Sequence, residues 1–364
     1  MAKLSAYTTQ TDEYYENKYK ENLIQLPEFI EKYFNHKESS LAPSTKYNYS
    51  KDYVVFFEWA KGYQSEFSDI PMRKLPLDIL KSLTGSDLDA FMSYLTMYEH
   101  NNQTNRNTYN GKARKLSSIS SMYKYFIMQK LLESDPTEAV ELKNLSEGNG
   151  IIQLQPNEVA KLLDCVECGD GFLEQADSEK NNKIRGTWYK INHIRDLAII
   201  TTLLGTGIRV SELVGIDLSD IDFEDGSISI TRKGHKAGIV YMNKEVTAAL
   251  LDYIHNGREH YQPDKKEKAL FLSVRHTRIT VRAVELLMKK YVAVAIPQRR
   301  NEKITPHKMR STFGSTLYQK TGDIKLVADT LGHKSIATTQ KHYAASNESI
   351  KRSAFNKVQL RSDT

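Results

Sequence analysis

The sequence predicts a mainly α-helical protein of two domains, with a small antiparallel β-sheet in the C-terminal domain. Three observations carry that expectation. Apolar residues recur at helical spacing through most of the chain. A polar, glycine-rich run from Asn144 to Gly150 interrupts this pattern near the middle. Beyond it, one stretch changes to strand-like alternation, around the Asp225-Gly226 turn. With 364 residues the chain can build a core in each half. The expected divisions are 1–143 for a helical N-terminal domain, 144–154 for a linker, 155–345 for the second domain and 346–364 for a tail.

Each element has a local reason. Ser44 is a candidate N-cap, followed at helical spacing by Tyr49, Tyr53, Phe56, Phe57 and Ala60. Thr84 or Ser86 can cap the next helix, which carries Leu88, Phe91, Met92 and Leu95 on one face. A longer helix fits from about Thr108 to Lys130, with an apolar stripe of Leu116, Ile119, Tyr123, Phe126 and Ile127. After Asp135-Pro136 the pattern loosens into the linker, and a new helix begins near Gln155-Pro156. Gly169 to Lys183 is polar and aperiodic and reads as a surface loop. From Ile194 the chain returns to apolar helix. Ser227 to Thr231 then alternates as a strand, and Lys233 to Gly238 turns the chain into Ile239-Val240-Tyr241-Met242. Helices resume to the end.

Composition bounds the chemistry. Apolar residues make up 40% and charged residues 26%, as in ordinary soluble proteins. The opening residues lack the apolar core of a signal peptide. The most apolar stretch, Leu197 to Leu204, is far too short to span a bilayer, so a cytoplasmic location without membrane contact is expected. Cys165 and Cys168 lack a second ligand pair at zinc spacing and read as two thiols at a helix end. No Walker loop, zinc-protease helix or serine-hydrolase elbow occurs. No metal and no cofactor is expected.

The formal charge of +6 is unevenly placed. Residues 1–150 hold 18 Lys and Arg against 20 Asp and Glu, and the remainder holds 33 against 25. Locally, no acidic residue falls between Glu99 and Glu133, while Arg106, Lys112, Arg114, Lys115, Lys124 and Lys130 do. A second basic stretch, Arg275 to Arg310, is broken only by Glu285 and Glu302. Such clusters suit a phosphate backbone, although basic faces are often merely solvated.

Four pieces of sequence can carry chemistry. In Gly205-Thr206-Gly207-Ile208-Arg209-Val210-Ser211-Glu212-Leu213 the glycines permit a tight turn, and Arg209 lies in the opening turn of the next helix. Glu212, three residues on, can hold its guanidinium. Lys233 sits in a β-turn, where a lysine can enter a groove and donate a proton. In Thr305-Pro306-His307-Lys308-Met309-Arg310, Thr305 is a candidate N-cap and Pro306 the first helical residue, which places His307 and Arg310 on one face. Finally, Asp323 caps a short helix bearing Ile324, Val327, Ala328 and Leu331. Gly332 ends it, His333 follows, and a polar run leads to Tyr343, one of 21 tyrosines.

In this order the four pieces resemble the tyrosine recombinase (phage integrase) family, over nearly the whole chain, and within it the Xer type and its XerS-like branch. Leu331-Gly332-His333 and Arg209-x-Ser211-Glu212-Leu213 match the family's most recognisable words. Arg114-Lys115-Leu116-Ser117-Ser118-Ile119 resembles its helical core-binding domain. The resemblance implies a core-binding domain followed by a catalytic domain, with the catalytic set Arg209, Lys233, His307, Arg310, His333 and Tyr343. It implies Glu212 as support, and DNA contacts from Arg106, Lys112, Arg114, Lys115, Lys124 and Lys236. The expected reaction is strand exchange through a 3′-phosphotyrosine and a Holliday junction, without ATP, on double-stranded DNA bearing an inverted repeat. A homotetramer on DNA is implied. A tail with Ile350, Ala354, Phe355 and Val358 near helical spacing would dock on a neighbouring protomer.

The sequence departs from the family pattern in three places. Tyr343 stands ten residues after His333, one further than is familiar, Ser311 stands where many members carry histidine, and the Cys165 to Lys183 insertion is longer than in compact Xer proteins. Supercoil relaxation of the type IB topoisomerase kind and non-catalytic DNA-binding regulation are the alternatives. Chromosome-dimer resolution, integration or excision of a mobile element, and an accessory protein all stay open at this level.

Overall fold

The computed structural model describes residues 6–142, 153–169, 179–232, 234–302, 304–333 and 335–336, with the side chains of Ala6 and of 179–185 excepted. These residues belong to two compact units, one ending at 142 and the other beginning at 153.

The first unit contains α1 (Ala6–Leu23), α2 (Phe29–His36), α3 (Pro43–Tyr63), α4 (Asp78–Lys81), α5 (Gly85–Tyr94), a hairpin of β1 (Tyr98–His100) and β2 (Gln103–Asn105), and α6 (Tyr109–Met128). Its core is aromatic: Tyr33, Tyr53, Phe56, Phe57, Phe91 and Phe126 are all buried, several in edge-to-face pairs. Buried hydroxyls find partners. Tyr53 donates to the Ser118 carbonyl at 2.8 Å, and Tyr123 donates to that of Leu80 at 3.0 Å.

Local sequence explains most of these elements, with two exceptions. The capping helix start at Thr84 is as expected, its hydroxyl accepting from Asp87 N and Asp87 in return accepting from Thr84 N. The helix containing Ser44, however, begins at Pro43 with Ala42 as its N-cap, so Ser44 lies inside the first turn. Proline's fixed φ favours that first position, and it outweighs the hydroxyl. The β1–β2 hairpin was not legible, because Tyr98 is the only apolar residue in its strands. Its turn rests on Asn101 and Asn102, with φ of 52° and 57°.

The second unit contains α7 (Pro156–Cys168), α8 (Glu179–Thr206), α9 (Val210–Val214), β3 (Ile221–Asp222), β4 (Ser227–Arg232), β5 (Lys236–Tyr241), α10 (Lys244–Asp252), α11 (Val281–Ala295), α12 (Pro306–Thr321) and α13 (Ile324–Leu331). The apolar half of α8, with Ala198, Ile199, Ile200 and Leu203 buried, packs against α7, α10 and α12. The three strands pair antiparallel in the order β3-β4-β5, with Ile228 opposite Val240 and Arg232 opposite Lys236. Ile228, Ile230 and Val240 face inward, while Ile239 and Tyr241 on the other face of the edge strand are exposed.

Two expectations need correction here. Residues from Glu179 to Lys183 belong to α8 and not to a surface loop. Asn181, Asn182 and Gly186 break any apolar stripe there, and the helix is continued from its buried C-terminal half. Gln153 and Leu154, expected in the linker, are built into the second unit. Leu154 is buried and its N–H donates to the Thr312 hydroxyl at 2.9 Å, and the Gln153 carbonyl accepts from Arg299 at 3.0 Å. The rest of the expected linker, the middle of the Cys165 to Lys183 insertion, Lys233, Tyr343 and the tail 346–364 lie outside the described residues.

Candidate active site

Two segments of the second unit meet at one guanidinium on a third. Arg310, on α12, is buried, with Nη1 donating to the Gly207 carbonyl at 2.7 Å and Nη2 to the Leu331 carbonyl. Gly207 lies two residues before Arg209, and Leu331 two residues before His333. One side chain therefore ties together the three motifs that sequence alone could only order. Gly207 allows it: its φ is +64°, and a Cβ there would overlap the Phe313 ring and come to 3.0 Å from Leu331.

Arg209 is the N-cap residue of α9, with extended backbone, and not a residue of its opening turn. Glu212 holds it twice, accepting from the Arg209 N–H at 2.8 Å and from Nη1 at 2.6 Å. Glu212 is buried while the Arg209 side chain is 34% exposed, so the pair presents a charged tip on a fixed base. The contact is the one that the three-residue spacing predicts.

His333 follows a helix end in which every one of the last four carbonyls is satisfied. Gly332, at φ +63°, makes the left-handed turn. The His333 N–H donates back to Ala328 O at 2.9 Å and the Gly332 N–H to Asp329 O at 3.0 Å, the paired bonds of a Schellman cap. The remaining two carbonyls are taken by arginines from elsewhere. Arg232, the last residue of β4, donates to Thr330 O at 3.1 Å, and Arg310 donates to Leu331 O. Arg232 was missed by sequence reasoning, because nothing in a strand-end arginine signals which carbonyl it will meet.

His307 is exposed in the first turn of α12, while Arg310, one turn on, points into the unit. Pro306 occupies the first helical position as expected, but the Thr305 side chain makes no cap hydrogen bond. Gly234 and His235, at φ of 78° and 60°, make the turn after β4. Lys236 is exposed at the start of β5.

The basic cluster of the first unit divides by burial. Lys115 is buried, its ammonium 2.9 Å from the fully buried Asp52 carboxylate, and it is a structural ion rather than a DNA contact. The same carboxylate takes two bonds from Arg114, at 2.5 and 2.6 Å, and one from Ser118 at 3.2 Å. The Arg-Lys-x-x-Ser portion of the α6 sequence is therefore the set of donors around one aspartate on α3. The Arg114 side chain is still 48% exposed, and Arg106 and Lys124 are exposed on the surface. Lys112 donates to the Thr96 hydroxyl at 2.8 Å. The Arg275 to Arg310 stretch divides likewise. Arg278 binds the carbonyls of Val214 and Ile216, and Arg299 binds Glu158 at 2.7 Å, whereas Arg275, Arg282 and Arg300 are exposed. Among the described residues no cluster of side chains suits a metal ion, and no helix is long and apolar enough to cross a membrane.

Known proteins resemble this chain in sequence and fold. The signature of the phage integrase family matches residues 172–349. Tyrosine recombinase XerC of Caldanaerobacter subterraneus subsp. tengcongensis is 31% identical over 347 residues, covering 93% of this chain and 88% of that protein. Tyrosine recombinase XerS of Streptococcus uberis is 30% identical over 355 residues, covering 90% of this chain and 94% of that one. Among solved structures, the XerH recombinase bound to a palindromic difH substrate has a TM-score of 0.60 at 20% identity, over 86% of this chain and 80% of that one. A lambda integrase dimer bound to a core site has a TM-score of 0.54 at 14% identity, over 91% and 98%. With relatives at this level along nearly its full length, the chain belongs to the tyrosine recombinases of the phage integrase family, enzymes that break and rejoin DNA.

Proposed function

We propose that this recombinase exchanges strands between two duplex sites of inverted-repeat symmetry, as a homotetramer, through a covalent bond between Tyr343 and a DNA 3′ phosphate. The observation that carries the reading is the Arg310 guanidinium bound to the carbonyls of Gly207 and Leu331, which holds the Arg209 and His333 loops to one helix. The structures of XerH with a palindromic site and of a lambda integrase dimer on a core site support the symmetry of the target.

A phosphodiester is anionic, so attack on it needs charge neutralised, a nucleophile deprotonated and a leaving group protonated. Arg209 supplies a charged tip fixed by Glu212. The Arg310 guanidinium is assigned to the non-bridging oxygens. His333 adds a bond there. The Tyr343 phenol, whose ordinary pKa is about 10, gives its proton to His307 and attacks phosphorus. The P–O5′ bond breaks, and the leaving oxygen takes a proton from Lys233. The ester keeps the bond energy, so a second strand's 5′-hydroxyl can displace the tyrosine without ATP. Exchange by pairs of strands passes through a Holliday junction. Arg106, Lys112, Arg114, Lys124 and Lys236 are assigned to the DNA backbone.

Selection of bound duplexes from a random pool with the Tyr343→Phe protein supplies the site. A nicked suicide substrate built on it is then incubated with each protein. Wild type is expected to form a covalent adduct and Tyr343→Phe to bind without one. An adduct with Tyr343→Phe moves the nucleophile elsewhere, Tyr318 being the next to test, and no adduct with wild type defeats the reading.

A further inference from the structure

Asp52, on α3, is a fully buried carboxylate surrounded by donors from α6. Arg114 Nη1 and Nη2 reach its two oxygens at 2.5 and 2.6 Å. Lys115 Nζ lies 2.9 Å from one oxygen, and the Ser118 hydroxyl donates to the other at 3.2 Å. Two cations against one anion leave one positive charge unbalanced. The Lys115 side chain is 9% exposed and that of Arg114 is 48% exposed, so the surplus charge reaches solvent at Arg114.

The geometry fixes that charge in space. A fork of two parallel bonds sets the plane of a guanidinium as well as its distance, and it uses two of the five N–H donors. A surface arginine loses side-chain freedom when it binds, and one already held loses less. Lys115 completes the arrangement. Asp52 and Arg114 alone make a neutral pair, and the buried ammonium restores the field of a cation. Asn110, Arg114, Ser117 and Lys124 are all exposed and fall within about 80° of one another around α6. This strip of two cations and two uncharged polar side chains suits a phosphate backbone. We infer that Asp52 is a positioning residue for DNA: with Lys115 offsetting its charge, it holds Arg114 as a rigid contact to one phosphate of the duplex. The inference rests on the assignment of Arg114 to the DNA backbone and on none of the proposed cleavage chemistry. It gives a buried carboxylate, itself out of reach of DNA, control of a contact at the surface.

Methylphosphonates remove the charge of one phosphate at a time. They are placed singly along one half of the selected duplex, and the affinity of each full-length protein is measured beside that for the unmodified duplex. Wild type is expected to lose about tenfold or more at the phosphate that Arg114 contacts. Arg114→Ala should bind more weakly overall and be indifferent at that position. Asp52→Asn should lose most of the penalty there. So should Arg114→Lys, which keeps the charge and leaves Lys115 on Asp52 but cannot form the fork. Each comparison is a ratio within one preparation, so the folded fraction cancels, and Arg114→Lys still gives the answer where Asp52→Asn does not fold. The full wild-type penalty in Arg114→Lys or in folded Asp52→Asn overturns the inference, as does the lack of any position at which Arg114→Ala becomes indifferent. Both results leave the recombinase reading intact. A wild-type protein indifferent at every phosphate removes the assignment of Arg114 to the backbone as well.

Discussion

Arg310 Nη1 donates to the Gly207 carbonyl at 2.7 Å, joining residues 103 apart in sequence. The bond is possible only because Gly207 turns left-handed and leaves no Cβ between α12 and the loop. Gly207→Ala is therefore expected to cost about 1–3 kcal/mol of stability through strain at positive φ. It should also lower suicide-substrate cleavage, since Arg209 lies two residues on. Chemical denaturation and adduct yield measure the two effects.

Arg310→Lys keeps the charge but replaces a fork by a single point. Two buried carbonyls, Gly207 O and Leu331 O, then compete for one ammonium. We expect cleavage to fall by about 100-fold or more, as for loss of a transition-state donor, with DNA affinity changed little. A gel-shift titration beside a single-turnover cleavage assay separates these.

Glu212→Gln retains an acceptor for the Arg209 N–H but loses the charge on its guanidinium. The variant should fold and bind DNA, while cleavage drops about tenfold because the arginine tip is less firmly held. Unchanged cleavage would show that the 34% exposed arginine orients itself on the phosphate.

Asp52, which is buried, and Lys124, which is exposed, predict opposite outcomes. Asp52→Ala leaves Lys115 buried without its carboxylate, and should destabilise the chain by about 3–5 kcal/mol in denaturant. Lys124→Ala, at an exposed position, should leave the melting temperature unchanged and reduce the slope of log affinity against log salt by about 1. Lys115→Ala should behave like Asp52→Ala and not like Lys124→Ala.

With Arg209, Arg310 and His333 assigned to the phosphate, charge neutralisation in the proposed step comes from side chains. Cleavage in excess chelator should equal cleavage in magnesium. A requirement for a divalent ion in the adduct assay would count against the assignment.

The sequence by itself determined most of the longer helices, among them those of Tyr53, Leu88 and Ile119, and the Asp225-Gly226 hairpin. Those features are local: a helical stripe, a turn dipeptide or a cap can be read within a few residues of itself. It could not tell that Lys115 serves Asp52 on another helix, that Glu179 to Lys183 continue α8, or that Arg232 and Arg310 close the carbonyl end of α13. A basic residue looks the same in sequence whether its partner is water, a phosphate or a buried carbonyl. Which one it meets depends on segments distant along the chain, and only the packed tertiary structure decided that.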